Sequence, residues 1–95
     1  MSNFKSVRIV LAASALILST AAAAEAAGPE FCEAYAHAAE NQVRGGFSHA
    51  SCAGGMRGAR WATEYRVHYE WCRQVSPGEA EAERDARTAY LRACR

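Results

Sequence analysis

The chain has 95 residues, of which 51% are hydrophobic and 22% charged, with a formal net charge of +1; that is enough for one small domain and excludes a multidomain enzyme. The apolar residues are unevenly spread, because Ile9 to Ala24 is one uncharged run and the rest of the chain is mixed and polar. The two segments therefore call for separate readings.

Met1 to Arg8 carries Lys5 and Arg8 with no acid, Ile9 to Thr20 is apolar, and Ala21 to Ala27 is nearly all small residues. This order is that of a secretory signal peptide. The run is shorter than the roughly 20 apolar residues that cross a bilayer, so no permanent membrane anchor is expected. Small residues at Ala24 and Ala26 point to cleavage after Ala26, with cleavage after Ala24 as the second choice. A lipid anchor would need a cysteine directly after the cut, whereas the nearest is Cys32. The expected division is residues 1–26 as signal peptide and 27–95 as an exported domain, periplasmic or secreted.

The exported part holds nine arginines, no lysine and nine acids. Its formal neutrality argues against nucleic-acid binding, which draws on counterion release by a basic face. Its large apolar residues are few and mostly aromatic: Phe31, Tyr35, Phe47, Trp61, Tyr65, Tyr69, Trp71 and Tyr90, with Val43, Met56, Val67, Val75 and Leu91. A core of that size in a short exported chain usually needs covalent staples. Cys32, Cys52, Cys72 and Cys94 supply an even number for two disulfides.

Gly28-Pro29-Glu30 opens a helix, with proline suited to the first helical position and an acid in the first turn. The helix is expected to reach Arg44, with Phe31, Tyr35, Ala38, Ala39 and Gln42 on its inner side and Gly45-Gly46 as its stop. Gly45 to Gly58 reads as a loop. A second helix is expected from about Ala59 to Val75, burying Trp61, Glu64, Tyr65, His68, Trp71, Cys72 and Val75. Ser76-Pro77-Gly78-Glu79 has capping-box spacing. The third helix it opens runs to about Ala93, with Ala82, Ala86, Ala89, Tyr90 and Ala93 inward. No alternating strand pattern occurs, so the expected fold is all-α: a three-helix up-down-up bundle.

That topology selects a disulfide map. Cys32 opens the first helix and Cys72 lies near the end of the second, at one end of the bundle; Cys52 and Cys94 fall at the other. Disulfides need α-carbons within about 7 Å, whereas a 14-residue helix spans about 21 Å. The expected pairs are therefore Cys32 with Cys72 and Cys52 with Cys94.

Cys32-x-x-Tyr35-Ala36, a Cys-Gly-rich loop leading into Arg60-Trp61, then His68-x-x-Trp71-Cys72 and a final Cys94 resemble the pattern of a family of short exported bacterial proteins with no known activity. The resemblance covers most of Phe31 to Cys94, and Arg60-Trp61 with His68, Trp71 and Cys72 is its most specific part. The stretch from Cys52 to Arg60 is about two residues longer here. The resemblance implies a secreted, disulfide-bonded domain and supplies no catalytic residue.

His49-x-x-Cys52 and His68-x-x-x-Cys72 have the spacing of zinc-ligand pairs, yet an oxidising compartment favours disulfides at both cysteines. His68 reads as a core histidine beside Trp61, Tyr65 and Trp71, with Glu64 as a candidate hydrogen-bond partner. Glu64 and His68 alone do not make an acid–base site, and the serines near His49 lack an oxyanion hole. There is no Cys-x-x-Cys for redox work. The chain is thus read as a non-enzyme with no cofactor and no metal site. Gly54, Gly55, Met56, Arg57, Gly58 and Arg60 form the candidate partner-binding loop, since rigid scaffolds display contacts on their longest loop. The expected function is an interaction or structural module that binds a protein or envelope component. The alternatives are a small-ligand or metal carrier and a secreted enzyme inhibitor.

Overall fold

The computed structural model describes residues 25–95. Nearly all of the expected export segment, residues 1–24, lies outside the described residues. Among these the chain is all-helical, with α1 at Pro29–Phe47, α2 at Ala50–Ala53, a 3-10 turn at Ala59–Trp61, α3 at Tyr65–Cys72 and α4 at Pro77–Cys94. None of these helices is long and apolar enough to cross a membrane.

The disulfides are Cys32–Cys72 and Cys52–Cys94, with α-carbons 5.6 and 5.1 Å apart. Each sits in its own apolar cluster. Cys32–Cys72 packs with Ala27, Tyr35 and Ala80, and Cys52 packs with Val43, Met56, Trp61 and Leu91 beside the half-buried Cys94. The thin core is thus divided into two small clusters, and a covalent bond holds each of them. The carrier of both is α1, which buries Cys32, Tyr35, Ala36, Ala39, Val43 and Gly46 along one stripe. Both α3 and α4 pack mainly on α1 rather than on each other, which leaves a groove between them.

Five sequence expectations need correction. Gly45-Gly46 does not stop α1, which runs on to Phe47. Helical glycine costs roughly 1 kcal/mol relative to alanine, but a β-carbon at Gly46 would lie 2.7 Å from Met56 and 2.8 Å from Leu91. The missing side chain lets the second cluster close against the helix. The expected loop also contains a helical turn, α2, which carries buried Cys52 to its disulfide.

The expected second helix is broken. After the 3-10 turn, Ala62 and Glu64 take extended backbone conformations, and α3 begins only at Tyr65. The break sends Trp61 into the Cys52 cluster while α3 carries Cys72 to the other. The Ala62 carbonyl, which a continuous helix would use for Arg66, is instead satisfied by the His68 Nε2 at 2.8 Å. Glu64 is exposed and is not the partner of His68.

The inner face of α4 is rotated from the expected one. Its buried residues are Ala80, Arg87 and Leu91, while Ala82, Ala89 and Ala93 are exposed. Hydropathy places an arginine outside; here Arg87 is wholly buried. Its start is as expected: Ser76 and Glu79 form a reciprocal capping box.

Candidate functional site

The groove between α3 and α4 deepens into a pocket of about 240 Å³. Its floor is the Tyr35 ring on α1. Val67 and Trp71, one turn apart on α3, make an apolar wall, with His68 beside them. Arg60 comes from the 3-10 turn, and Glu83 and Arg87 from α4. The Tyr35 and Trp71 rings are tilted with centroids 5.8 Å apart, so the wall and the floor support each other.

The polar side is an arginine–carboxylate–arginine chain. Arg60 donates to Glu83 in a fork, Nε to Oε2 at 2.5 Å and Nη2 to Oε1 at 3.1 Å. That fork holds the Glu83 carboxyl below the usual carboxylate range. Arg87 Nη1 lies 3.9 Å from Glu83 Oε2. The other donors of Arg87 are held by α1: Nε donates to Gln42 Oε1 at 2.8 Å and Nη2 to the Tyr35 hydroxyl at 2.9 Å. Tyr35 and Gln42 are seven residues apart, two helical turns, so both face α4. Gln42 is fixed in turn by donating to Thr88 Oγ1 at 2.8 Å. Burial pushes the Tyr35 phenol above its ordinary value, against the opposing bond from Arg87, so it stays neutral.

His68 is 4% exposed. Burial lowers its pKa, although its bond to the Ala62 carbonyl opposes the shift. A carbonyl only accepts, so Nε2 carries the hydrogen. The imidazole is therefore neutral at neutral pH, and the pocket's fixed charges are Arg60, Glu83 and Arg87.

The residues singled out from sequence fall in three places. Trp61 is buried in the Cys52 cluster, where its ring meets Tyr90 at 5.0 Å. Tyr65 is half-buried and stacks on Tyr69, its centroid 4.7 Å from that of His37. His68 and Trp71 line the pocket. The Gly54 to Arg60 segment is well tied down. Met56 is buried in the Cys52 cluster. Arg57 Nε folds back to the Gly54 carbonyl at 3.2 Å, and the Tyr90 hydroxyl beside Gly55 donates to the Cys52 carbonyl at 2.8 Å. Among the described residues Gly58 alone has a positive φ, +89°, a conformation that glycine takes without strain. Ala59 and Arg60 are the members of this segment that line the pocket. Both cysteines of the weighed zinc pairs are disulfide-bonded and offer no thiolate.

Sequence reasoning missed Tyr35, Glu83, Arg87 and Val67 as a group. A signal was present: Glu83 and Arg87 stand four apart, and Ala80, Arg87 and Leu91 follow heptad-like spacing. Reading that row as buried requires accepting an interior arginine, which only its partners on α1 justify. Compared with known proteins, the chain matches no family model, no curated protein sequence and no solved structure.

Proposed function

We propose that this chain is an exported, disulfide-stapled module that binds a protein partner through the α3 face formed by Val67 and Trp71 and the pocket they border. The observation that carries this reading is the exposure of those two side chains, 37% each, in a chain short of large apolar residues. Both lie on one helical face beside a concave site. Single exposed apolar residues are ordinary, whereas an adjacent pair at a pocket mouth marks a contact surface. Export is supported by the Met1 to Ala26 pattern and by two disulfides, which persist in oxidising compartments. The reading places the module in the periplasm or outside the cell.

Val67→Glu and Trp71→Ala each alter that face at a residue outside the two disulfide clusters. Wild-type protein immobilised against envelope extract is expected to retain a defined partner that both variants lose. Ala82→Glu, on an exposed position of α4, is expected to retain it. A partner held equally by all four proteins rules out this face as the contact.

A further inference from the structure

The first residues of the domain are held more firmly than the edges of a domain usually are. Ala27 is 2% exposed and belongs to the Cys32–Cys72 cluster, with Tyr35 and Ala80. Its N–H donates to the Val75 carbonyl at 2.8 Å, and its carbonyl accepts from Arg73 Nε at 3.1 Å. Beyond it the chain is committed to helix. Gly28 is the N-cap of α1, its carbonyl accepts from the Cys32 N–H at 3.0 Å, and Pro29 is the first helical residue. Glu25 and Ala26, by contrast, are exposed. The boundary between free and seated backbone therefore falls at the Ala26–Ala27 peptide bond, where the sequence places the export cut. The partners of Ala27 come from one place: Arg73 caps the end of α3, Val75 lies two residues on, and Cys72 just before them is bonded to Cys32 on α1. The seat is thus made by docking the end of α3 on α1, which the Cys32–Cys72 bond fixes.

We propose that this seat sets the order of processing: the Ala26–Ala27 bond is cut before the Cys32–Cys72 end of the domain closes, and closure makes that bond resistant, leaving Ala24–Glu25 as the accessible bond. This inference rests on the export reading of Met1 to Ala26. The reaction adds water across the Ala26–Ala27 amide; Ala26 leaves with the new carboxylate and Ala27 keeps the nitrogen as an α-ammonium. A protease needs the backbone on both sides of the cut free to enter its cleft. In the closed domain the nitrogen of the scissile amide is bonded to Val75 and the carbonyl of the same residue to Arg73. Ala27 therefore cannot enter a cleft without breaking both bonds and exposing its buried side chain. Cleavage then proceeds only through the locally opened fraction, and its rate falls with the population of that fraction. The Ala24–Glu25 bond is followed by two exposed residues, which supply the free length that the other cut lacks. The first residue of the recovered protein thus records whether the cut or closure came first.

The test uses the full chain in detergent micelles, oxidised or reduced, incubated with a purified bacterial signal peptidase, with the released domain identified by mass. From the reduced chain the main product is expected to begin at Ala27. From the oxidised chain that product should appear roughly tenfold more slowly, an opening free energy of about 1.4 kcal/mol, and what is released should begin at Glu25. Two double variants separate the seat from folding in general. Replacing Cys52 and Cys94 by alanine should leave the oxidised chain protected, whereas replacing Cys32 and Cys72 should restore the Ala27 product to the reduced rate. Release of that product from the oxidised wild-type chain at the reduced rate overturns the proposal, as does equal protection or equal loss of protection in the two double variants. A second protease keeps the two readings apart. Ala26→Arg creates a trypsin site at the same bond, and the same comparison is made there with the oxidised chain and both double variants. Refusal of every form by the signal peptidase refutes the export reading, while the trypsin comparison still decides whether the seat protects the bond. Tryptic cleavage after residue 26 at equal rates in all three oxidised proteins removes the seat.

Discussion

At the scale of single residues, the interior of this domain is decided by two polar side chains. His68 and Arg87 are each held by bonds that water would otherwise supply, so truncation removes packing and strands a partner. His68→Ala is expected to cost about 2 kcal/mol, read from denaturant midpoints at pH 7.5. Arg87→Met should cost about 3 kcal/mol, because it frees the buried Tyr35 hydroxyl and Gln42. Arg60→Ala should cost about 1 kcal/mol or less, since its ion pair is solvent-exposed. Equal losses for the two arginines would contradict the buried network. The pH dependence follows from the direction of the His68 shift. Burial lowers its folded-state pKa, so between that value and the ordinary one near 6.5 the unfolded chain binds more protons. Stability is then fully present above about pH 6.5 and falls as pH drops through that window. Glu83, held low by Arg60, adds a second loss below the ordinary carboxylate value near 4.3. His68→Gln keeps a donor for the Ala62 carbonyl without titrating. It should flatten the upper window and leave the lower one, as measured by urea midpoints from about pH 2.5 to 8.

At the scale of elements, α1 and the segment before it show how packing overrides local preference. Gly46→Val is expected to destabilise by about 1 to 3 kcal/mol, because the added atoms meet Met56 and Leu91 and a β-branched residue gains little in a helix. Helicity by circular dichroism should hold while the melting temperature falls. A rise in melting temperature would show that Met56 and Leu91 move aside freely. The N-terminal edge of the domain is similarly specific. Ala27 is buried, its N–H donates to the Val75 carbonyl at 2.8 Å, and its own carbonyl accepts from Arg73 Nε at 3.1 Å. Glu25 and Ala26 are exposed. Protein beginning at Ala27 should therefore match one beginning at Glu25 in stability, whereas one beginning at Gly28 should lose about 1 to 2 kcal/mol with these two bonds. Mass spectrometry of exported protein is expected to show Ala27 as the first residue, and retention of Met1 would refute the export reading.

At the scale of the whole molecule, two clusters with one disulfide each make a domain whose ends are stapled independently. The bonds span 40 and 42 residues, so each is worth roughly 4 kcal/mol through the denatured state. Losing either should cost about the same. Replacing Cys52 and Cys94 by alanine should expose residues 48–58 to proteolysis first, because α2 is anchored there. Replacing Cys32 and Cys72 should loosen α3 and the Ala27 seat instead. Limited proteolysis with mass mapping distinguishes the two patterns, and identical cleavage in both variants would show that the clusters do not act separately.

Caps, staples and helical class were legible in the chain itself, because each depends on neighbours within a few residues or on a spacing that topology restricts. The Ser76–Glu79 box, proline at the start of α1 and α4 and the cysteine pairing all follow from local stereochemistry and reach. The continuation of α1 through Gly45-Gly46, the break between Trp61 and Tyr65, the rotated face of α4 and the pocket depend on contacts between residues far apart in sequence. Gly46 is helical because Met56 and Leu91 need its space, and Arg87 is interior because Tyr35 and Gln42 meet its donors. Hydropathy assigns each residue a side from its own chemistry. Where a distant partner cancels that chemistry, only the tertiary structure decides which side it takes.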